Sequence, residues 1–175
     1  MPVDTTPADA VTRLRAQFET QFAPYQQAAL KQNINWDTLL KIASLIQREA
    51  AGSRDANLIS GIIWNRLLAN MDLDIDATVQ YARDTLNPPM PTTTTDGYWT
   101  PLKAGDTKID SPYNSYLHAG LPPHPIDNPS LMAIAAALNP QTTACFYYLH
   151  DSSGIIHCAA TYQEHLQNIQ EFETP

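Results

Sequence analysis

The sequence predicts an α+β fold: mostly helices, one small antiparallel β-hairpin sheet and a long proline-rich loop region. Three observations carry this. Apolar residues recur at helical spacing up to about residue 70. From 71 to 127 that periodicity fades into stretches dense in Pro, Thr and Gly. Beyond residue 140 the pattern alternates like a strand on either side of a turn, then becomes helical again.

Taken in order, residues 1–8 read as a loose lead-in. Residues 9–31 place Val11, Leu14, Phe18 and Phe22 at helical spacing, with Pro24 expected to start a new helix or turn. "INWDTLLK" has the marks of a helix start: Asn35 as cap, Asp37 in the first turn, and Ile34 placed to pack on Leu39. That helix should cover 36–50 and end by Gly52, and a second is expected over 54–69 with Leu58, Ile59, Ile62, Ile63 and Leu67 as its buried stripe. "IDATVQYA" reads as a short helix capped by Asp76, and "LNPPMPTTTTDGYW" as an irregular excursion. Prolines 122, 123, 125 and 129 stiffen the loop after it, because each fixes φ. Asn128 is expected to cap a helix with Pro129 at its first position, ending at Asn139-Pro140.

"CFYYLH" and "IIHCAA" flank Asp-Ser-Ser-Gly, the composition of a hairpin turn. Pairing His150 with Ile155 puts Cys145, Tyr147 and Leu149 on one face with Ala160, Cys158 and Ile156, and makes the two cysteines diagonal neighbours. Two buried thiols are the default for such a pair, and a disulfide is the lesser option. "TYQE" then forms a capping box, Thr161 with Glu164, opening a last helix.

A chain of 175 residues with 43% apolar and 16% charged residues is enough for one compact domain with a real core. Its formal charge of -8, with no basic run, argues against a nucleic-acid backbone as partner. No apolar run is long enough to span a bilayer and the start has no signal-peptide pattern, so the chain as given is expected to be soluble.

The chemistry-bearing motifs thin out quickly. His118, His124, His150, His157 and His165 lack a regular ligand spacing, so no metal is expected. His157 and Cys158 are adjacent on a strand and point to opposite faces, which rules them out as a dyad. No phosphate-cradling glycine loop and no serine-nucleophile signature is present, and no cofactor is expected. What remains is Glu49. On the helix carrying "IASLIQREA" it falls inside the apolar face, between Ile42 and Leu45. It either sits at the edge of that face and snorkels, or pairs with a buried base such as Arg54 or Arg66, or its apolar setting is functional. In the functional case desolvation keeps the carboxyl protonated, ready to donate to a glycosidic oxygen. Trp64, Tyr81, Tyr98, Trp99, Tyr113 and Tyr116 are numerous enough mid-chain to offer sugar-stacking faces, although core packing is the default for each.

Four blocks carry a resemblance: "LLKIASLIQREA" (39–50), "ISGIIWNRL" (59–67) with "LDIDATVQYA" (73–82), "SPYNSYLHAGLPPHPIDNP" (111–129) and "HCAATYQEHLQNI" (157–169). In these blocks and their order the sequence resembles the catalytic domain of the endolytic murein transglycosylases, the YceG-like family. The resemblance implies a lysozyme-like, lytic-transglycosylase-type fold over 35–175, with 1–34 as lead-in and linker helix. It implies non-hydrolytic cleavage of the MurNAc–β-1,4–GlcNAc bond within peptidoglycan strands, leaving 1,6-anhydro-MurNAc ends. The family's catalytic glutamate, the second acid of the A-S-x-x-E-x-E pattern, falls on Glu49, and its first acidic position is Gln47 here. Its other cleft residues fall on Asn65, Arg66, Asp76, Thr78, Gln80, Tyr81, Tyr113, Asn114 and Tyr116, and on the run Gly120, Leu121, Pro122 and Pro123.

Departures from the family pattern are Asp74 where Gln is usual, His124 where Gly is common and Cys158 where an aromatic is common. The implied partners are peptidoglycan glycan strands, with cell-wall synthesis proteins as further candidates. The implied location is the extracytoplasmic face of the bacterial cell membrane, with attachment through a segment absent from these 175 residues. Two other readings compete: a catalytically silent glycan-binding or scaffold module of the same fold, and a lysozyme-like hydrolase.

Overall fold

The structure, a computed structural model, describes residues 5–89 and 97–172. In chain order they form α1 (Pro7–Lys31), α2 (Trp36–Glu49), α3 (Ala56–Leu68), α4 (Asp76–Leu86), a 3-10 turn at Asp106–Lys108, α5 (Leu131–Leu138), strands β1 (Tyr147–His150) and β2 (Ile156–Ala159), and α6 (Tyr162–Phe172).

Helix α2 is the hub, touching α1, α3, α4 and α5. Leu39, Ile42, Ala43, Leu45 and Ile46 have no exposed surface, and each large side chain buried this way contributes about 1.5–3 kcal/mol. Core packing, rather than intrinsic propensity, therefore holds the helix. Asn35 caps it as expected, accepting the Asp37 N–H at 2.9 Å. Its end is set from downstream. The Asp55 carboxylate accepts the N–H groups of Ala51 at 2.9 Å and Gly52 at 3.1 Å, drawing the chain out of the helix and leaving Glu49 as its last residue.

Helix α3 approaches the 140–143 segment so closely that a Cβ on Gly61 would overlap the Gln141 carbonyl oxygen. That segment is anchored by the Gln141 N–H donating to the Asn57 carbonyl at 2.8 Å. Ile59, Ile62 and Ile63 are buried as the stripe predicts, with Leu58 and Leu67 half-buried. The capping box opening α6 is formed: the Glu164 N–H donates to Thr161 Oγ1 at 3.2 Å, and Glu164 Oε2 accepts the Thr161 N–H at 3.0 Å.

Several expectations are corrected. The lead-in is shorter than eight residues, because Pro7 already occupies the first turn of α1 under the Thr6 cap. Pro24 does not start a new element; α1 runs straight through it, because Phe22 and Ala29 on either side are both buried and packing outweighs the lost hydrogen bond. Val11, Leu14 and Phe18, at the other end of the same spacing, are exposed. Asp76 is the first residue of α4 and not its cap, which is Ile75. Asn128 is not the cap of α5. Ser130 is, accepting the Ala133 N–H, while its own N–H donates to Gln47 Oε1 at 2.9 Å. The hairpin pairs His150 with Ile156 and Tyr148 with Cys158, one residue away from the expected register. Gly154, at φ +73, supplies the left-handed residue that lengthens the turn by one. Cys145 and Cys158 are joined in a disulfide rather than left as thiols, with their Cα atoms 5.8 Å apart. The middle of the irregular excursion, residues 90–96, lies outside the described residues.

Candidate active site

Glu49, carried to the end of α2, opens into a cavity of about 630 Å³. The floor and walls come from four places: Arg66 of α3, Leu73, Asp74 and Asp76 at the entry to α4, Tyr116 of the proline-rich loop, and Tyr147 to His150 of β1 with Tyr162 and His165 of α6. Burial is the largest influence on Glu49 and raises its pKa above the ordinary carboxyl range. The nearby Asp76 charge raises it further. Against these act a hydrogen bond from Tyr148, the His150 charge and the Ala77 N–H in the first turn of α4, but the net direction is upward.

The Tyr148 hydroxyl donates to Glu49 Oε2 at 2.5 Å. Burial and the neighbouring Glu49 charge hold the Tyr148 phenol well above its ordinary range, so it keeps its proton. The ring of His150, two residues along the same strand, stands edge-on to Tyr148, and its Nε2 lies 2.7 Å from Asp55 Oδ2. Burial raises the Asp55 pKa, but the bonds from His150, Ala51 and Gly52 outweigh it, and the carboxyl ends below its ordinary value. The same Asp55 that terminates α2 therefore also fixes the histidine facing Glu49.

On the opposite wall the Tyr116 hydroxyl donates to Asp76 Oδ1 at 2.6 Å, and burial, followed by that hydrogen bond and then the Asp76 charge, raises the pKa of that phenol. Asp74 stands at φ +49 with its carboxylate 2.9 Å from Arg66 Nη1. Arg66 also donates to the carbonyls of Phe146, Asp72 and Leu73, so it ties the hairpin to the start of α4. Arg66 thus forms its ion pair with Asp74 and not with Glu49. Of the three origins considered for a carboxyl on this face, pairing with Arg66 is not the one realised. Among the described residues no group of three or more His, Cys, Asp or Glu side chains is arranged to hold a metal ion.

A mainly helical α+β domain with one desolvated glutamic acid at the end of its central helix is of the lytic-transglycosylase type. The chain belongs to the YceG-like family, which matches residues 1–171. It is 33% identical over 171 residues to an endolytic murein transglycosylase of Streptococcus pneumoniae, an alignment covering 95% of this chain and 29% of the relative. It is 32% identical over 162 residues to the endolytic murein transglycosylase of Bacillus subtilis, covering 93% of this chain and 42% of the relative. A crystal structure of a YceG-like protein from Listeria monocytogenes superposes with a TM-score of 0.83 at 28% identity, over 95% of this chain and 50% of that one. The chain thus spans well under half the length of the curated relatives it matches.

The site residues implied by the resemblance separate into two groups. Glu49, Arg66, Asp76 and Tyr116 meet around the one cavity. The others do not line it. Asn65 donates to the carbonyls of Thr143 and Cys145, bracing the approach to the hairpin. Thr78 is buried between the Ile75 carbonyl and Ser115. Gln80 donates to the Thr100 carbonyl at 3.1 Å. Tyr81 and Tyr113 pack together with ring centroids 4.8 Å apart, beside Trp99. Asn114 has no exposed surface and spends its amide within the loop, so in this arrangement it shapes the loop without facing the cavity. Gly120, Leu121, Pro122 and Pro123 also lie away from the cavity, with Pro122 buried and Leu121 packed on the core. The 111–125 loop thus contributes Tyr116 to the cavity lining.

Tyr148, His150 and Asp55 were not singled out from the sequence. The signal available was strand alternation, which puts Tyr148 and His150 on one face of β1 in any register.

Proposed function

We propose that this domain cleaves the MurNAc–β-1,4–GlcNAc bond inside peptidoglycan strands without water, leaving 1,6-anhydro-MurNAc ends, with Glu49 as the sole acid and base. The observation that carries the reading is Glu49 itself, a carboxyl whose pKa burial raises, at the wall of a cavity large enough for sugar rings. The names of the relatives support the substrate class. Protonated Glu49 donates to the bridging oxygen as charge builds at C1 of MurNAc. As carboxylate it then takes the proton of the same sugar's C6 hydroxyl, whose oxygen bonds to C1. Holding C6–OH and C1 in one bound ring supplies the proximity that water would otherwise have to find. The Cys145–Cys158 disulfide suits an oxidising, extracytoplasmic setting, where peptidoglycan lies. Among the described residues no helix is long and apolar enough to cross a membrane.

Asp76 in the same cavity favours a second reading, a lysozyme-like hydrolase with two carboxylates. Its Oδ1 is engaged by Tyr116, and its charge raises the Glu49 pKa, which suits an electrostatic role better than that of nucleophile. Digestion of purified peptidoglycan by the parent and by Glu49→Gln, read by mass spectrometry, separates the cases. Ends lighter by one water than hydrolytic ends, absent with Glu49→Gln, are the expected result. Reducing MurNAc ends would establish hydrolysis, and tight glycan capture without fragments would establish the binding module.

A further inference from the structure

We propose that Tyr148 is a positioning residue that gives the two oxygens of Glu49 different tasks, holding Oε2 as a hydrogen-bond acceptor and leaving Oε1 to release and recover the proton. The proposal deepens the acid/base reading of Glu49 given above.

Geometry comes first. The two residues are 99 apart in sequence and meet at 2.5 Å. Tyr148 is held on both sides. In the hairpin it pairs with Cys158, which the disulfide ties to Cys145 at the foot of the same strand. On its other side stands the His150 ring, locked by Asp55, whose carboxylate also grips the turn leaving α2. The phenol is therefore referenced to the helix that carries Glu49, and it has little freedom to follow a different rotamer.

The chemistry follows from which partner holds the proton. The phenol keeps its own throughout, so it is the donor whether Glu49 is neutral or charged. In a neutral carboxyl the carbonyl oxygen is the better acceptor, so a bond held at Oε2 favours the proton on Oε1. In the first step the Oε1 proton goes to the bridging oxygen, and the C1–oxygen bond breaks with its electron pair on that oxygen. In the second, the C6 oxygen bonds to C1 and its proton goes to Oε1. Glu49 and Tyr148 end as they began, nothing is oxidised or reduced, and no co-reactant is consumed. Between the steps Glu49 is an anion, and the bond from Tyr148 becomes charge-assisted and stronger.

The other charged groups facing Glu49 do not duplicate this role. Asp76, at the start of α4, acts on it as a like charge and is bonded by Tyr116. Asp74 is held by Arg66 of α3. His150 of β1 is held by Asp55, and His165 of α6 lines the cavity beside Tyr147 and Tyr162. Among the described residues the side-chain hydrogen bond to Glu49 comes from Tyr148.

Tyr148→Phe keeps the ring and removes the donor. The expected results are a Glu49 titration, followed by carboxyl-selective NMR, that moves up by about one unit, and an alkaline limb of the kcat profile that moves up with it. kcat should fall about tenfold with KM unchanged. A merely structural tyrosine predicts otherwise: loosened packing admits water and moves both downward, or leaves both in place, and either result overturns the proposal. Should the variant fail to fold, the parent decides. The Tyr148 ring resonances must shift through the Glu49 titration and lose that inflection in Glu49→Gln; a ring that does not sense Glu49 overturns the proposal. Because the NMR readout needs no turnover, absence of anhydro ends in the parent would sink the proposed function, while the titration still decides whether Tyr148 governs the Glu49 proton.

Discussion

Replacing Asn114 by Ala removes three hydrogen bonds from the inside of the loop that carries Tyr116. Its Nδ2 donates to the carbonyls of Thr107 at 3.0 Å and Ile109 at 2.8 Å, and its Oδ1 accepts the Tyr116 N–H at 3.0 Å. The residue has no exposed surface, so water does not replace these partners. At about 1 kcal/mol net for each bond the loss is roughly 3 kcal/mol. For a chain of this length that corresponds to a fall in Tm of about 6–12 °C. Thermal melts and urea titrations of parent and variant give the number, and KM for a glycan oligomer is measured alongside. A side chain that contacts sugar directly predicts the opposite pattern, a raised KM with an unchanged Tm. Parental stability with weakened glycan binding would therefore refute the scaffold role argued for Asn114. Asn114→Asp separates size from donor capacity. It keeps the acceptor for Tyr116 but turns an oxygen toward two carbonyls, so its folded pKa should be raised. The variant is then least destabilised in acid, where the carboxyl donates a proton bond, and loses stability as pH rises through that raised value.

Glu49→Gln should abolish cleavage and change the pH dependence of stability. The raised folded pKa means that the parent's neutral Glu49 contributes stability fully below the unfolded value of about 4.3, lost as pH rises through the folded one, so the variant should gain on the parent toward neutral pH. Denaturant titrations across that range check this, and parallel curves for the two proteins would argue against a desolvated carboxyl. Gly61→Ala, although it improves helix propensity, should destabilise by about 1–3 kcal/mol, because the new methyl meets the Gln141 carbonyl and pushes α3 from the 140–143 segment. A melt showing stabilisation would mean that the segment yields freely. Reducing the Cys145–Cys158 bridge, which closes a span of 13 residues, should cost about 2–4 kcal/mol, and an unchanged Tm under reductant would refute it. Gln47→Glu should be mild, since a carboxylate oxygen still accepts the Ser130 N–H at the start of α5. A large loss of stability by calorimetry would show that the amide's other half matters.

What the sequence by itself determined is local. The apolar face of α2, the intrusion of Glu49 into it, the Asn35 cap and the Thr161–Glu164 box all depend on residues a few positions apart, and the chain's periodicity and capping patterns display those energies directly. The family blocks added the family and its type of fold, and the matches agree with both. Long-range partners were decided elsewhere. Whether a half-buried carboxyl meets Arg66 or Tyr148 depends on how α2, α3 and the hairpin pack, and Arg66 was taken by Asp74 and three carbonyls. Ser130 displaced Asn128 as a cap because Gln47, 83 residues away, fixes its N–H. Asn114, placed among the cleft residues by the resemblance, has its amide bound by two carbonyls that only the closed loop brings to it. A polar side chain satisfies whichever buried groups the packing brings within 3 Å, and no spacing along the chain encodes that choice.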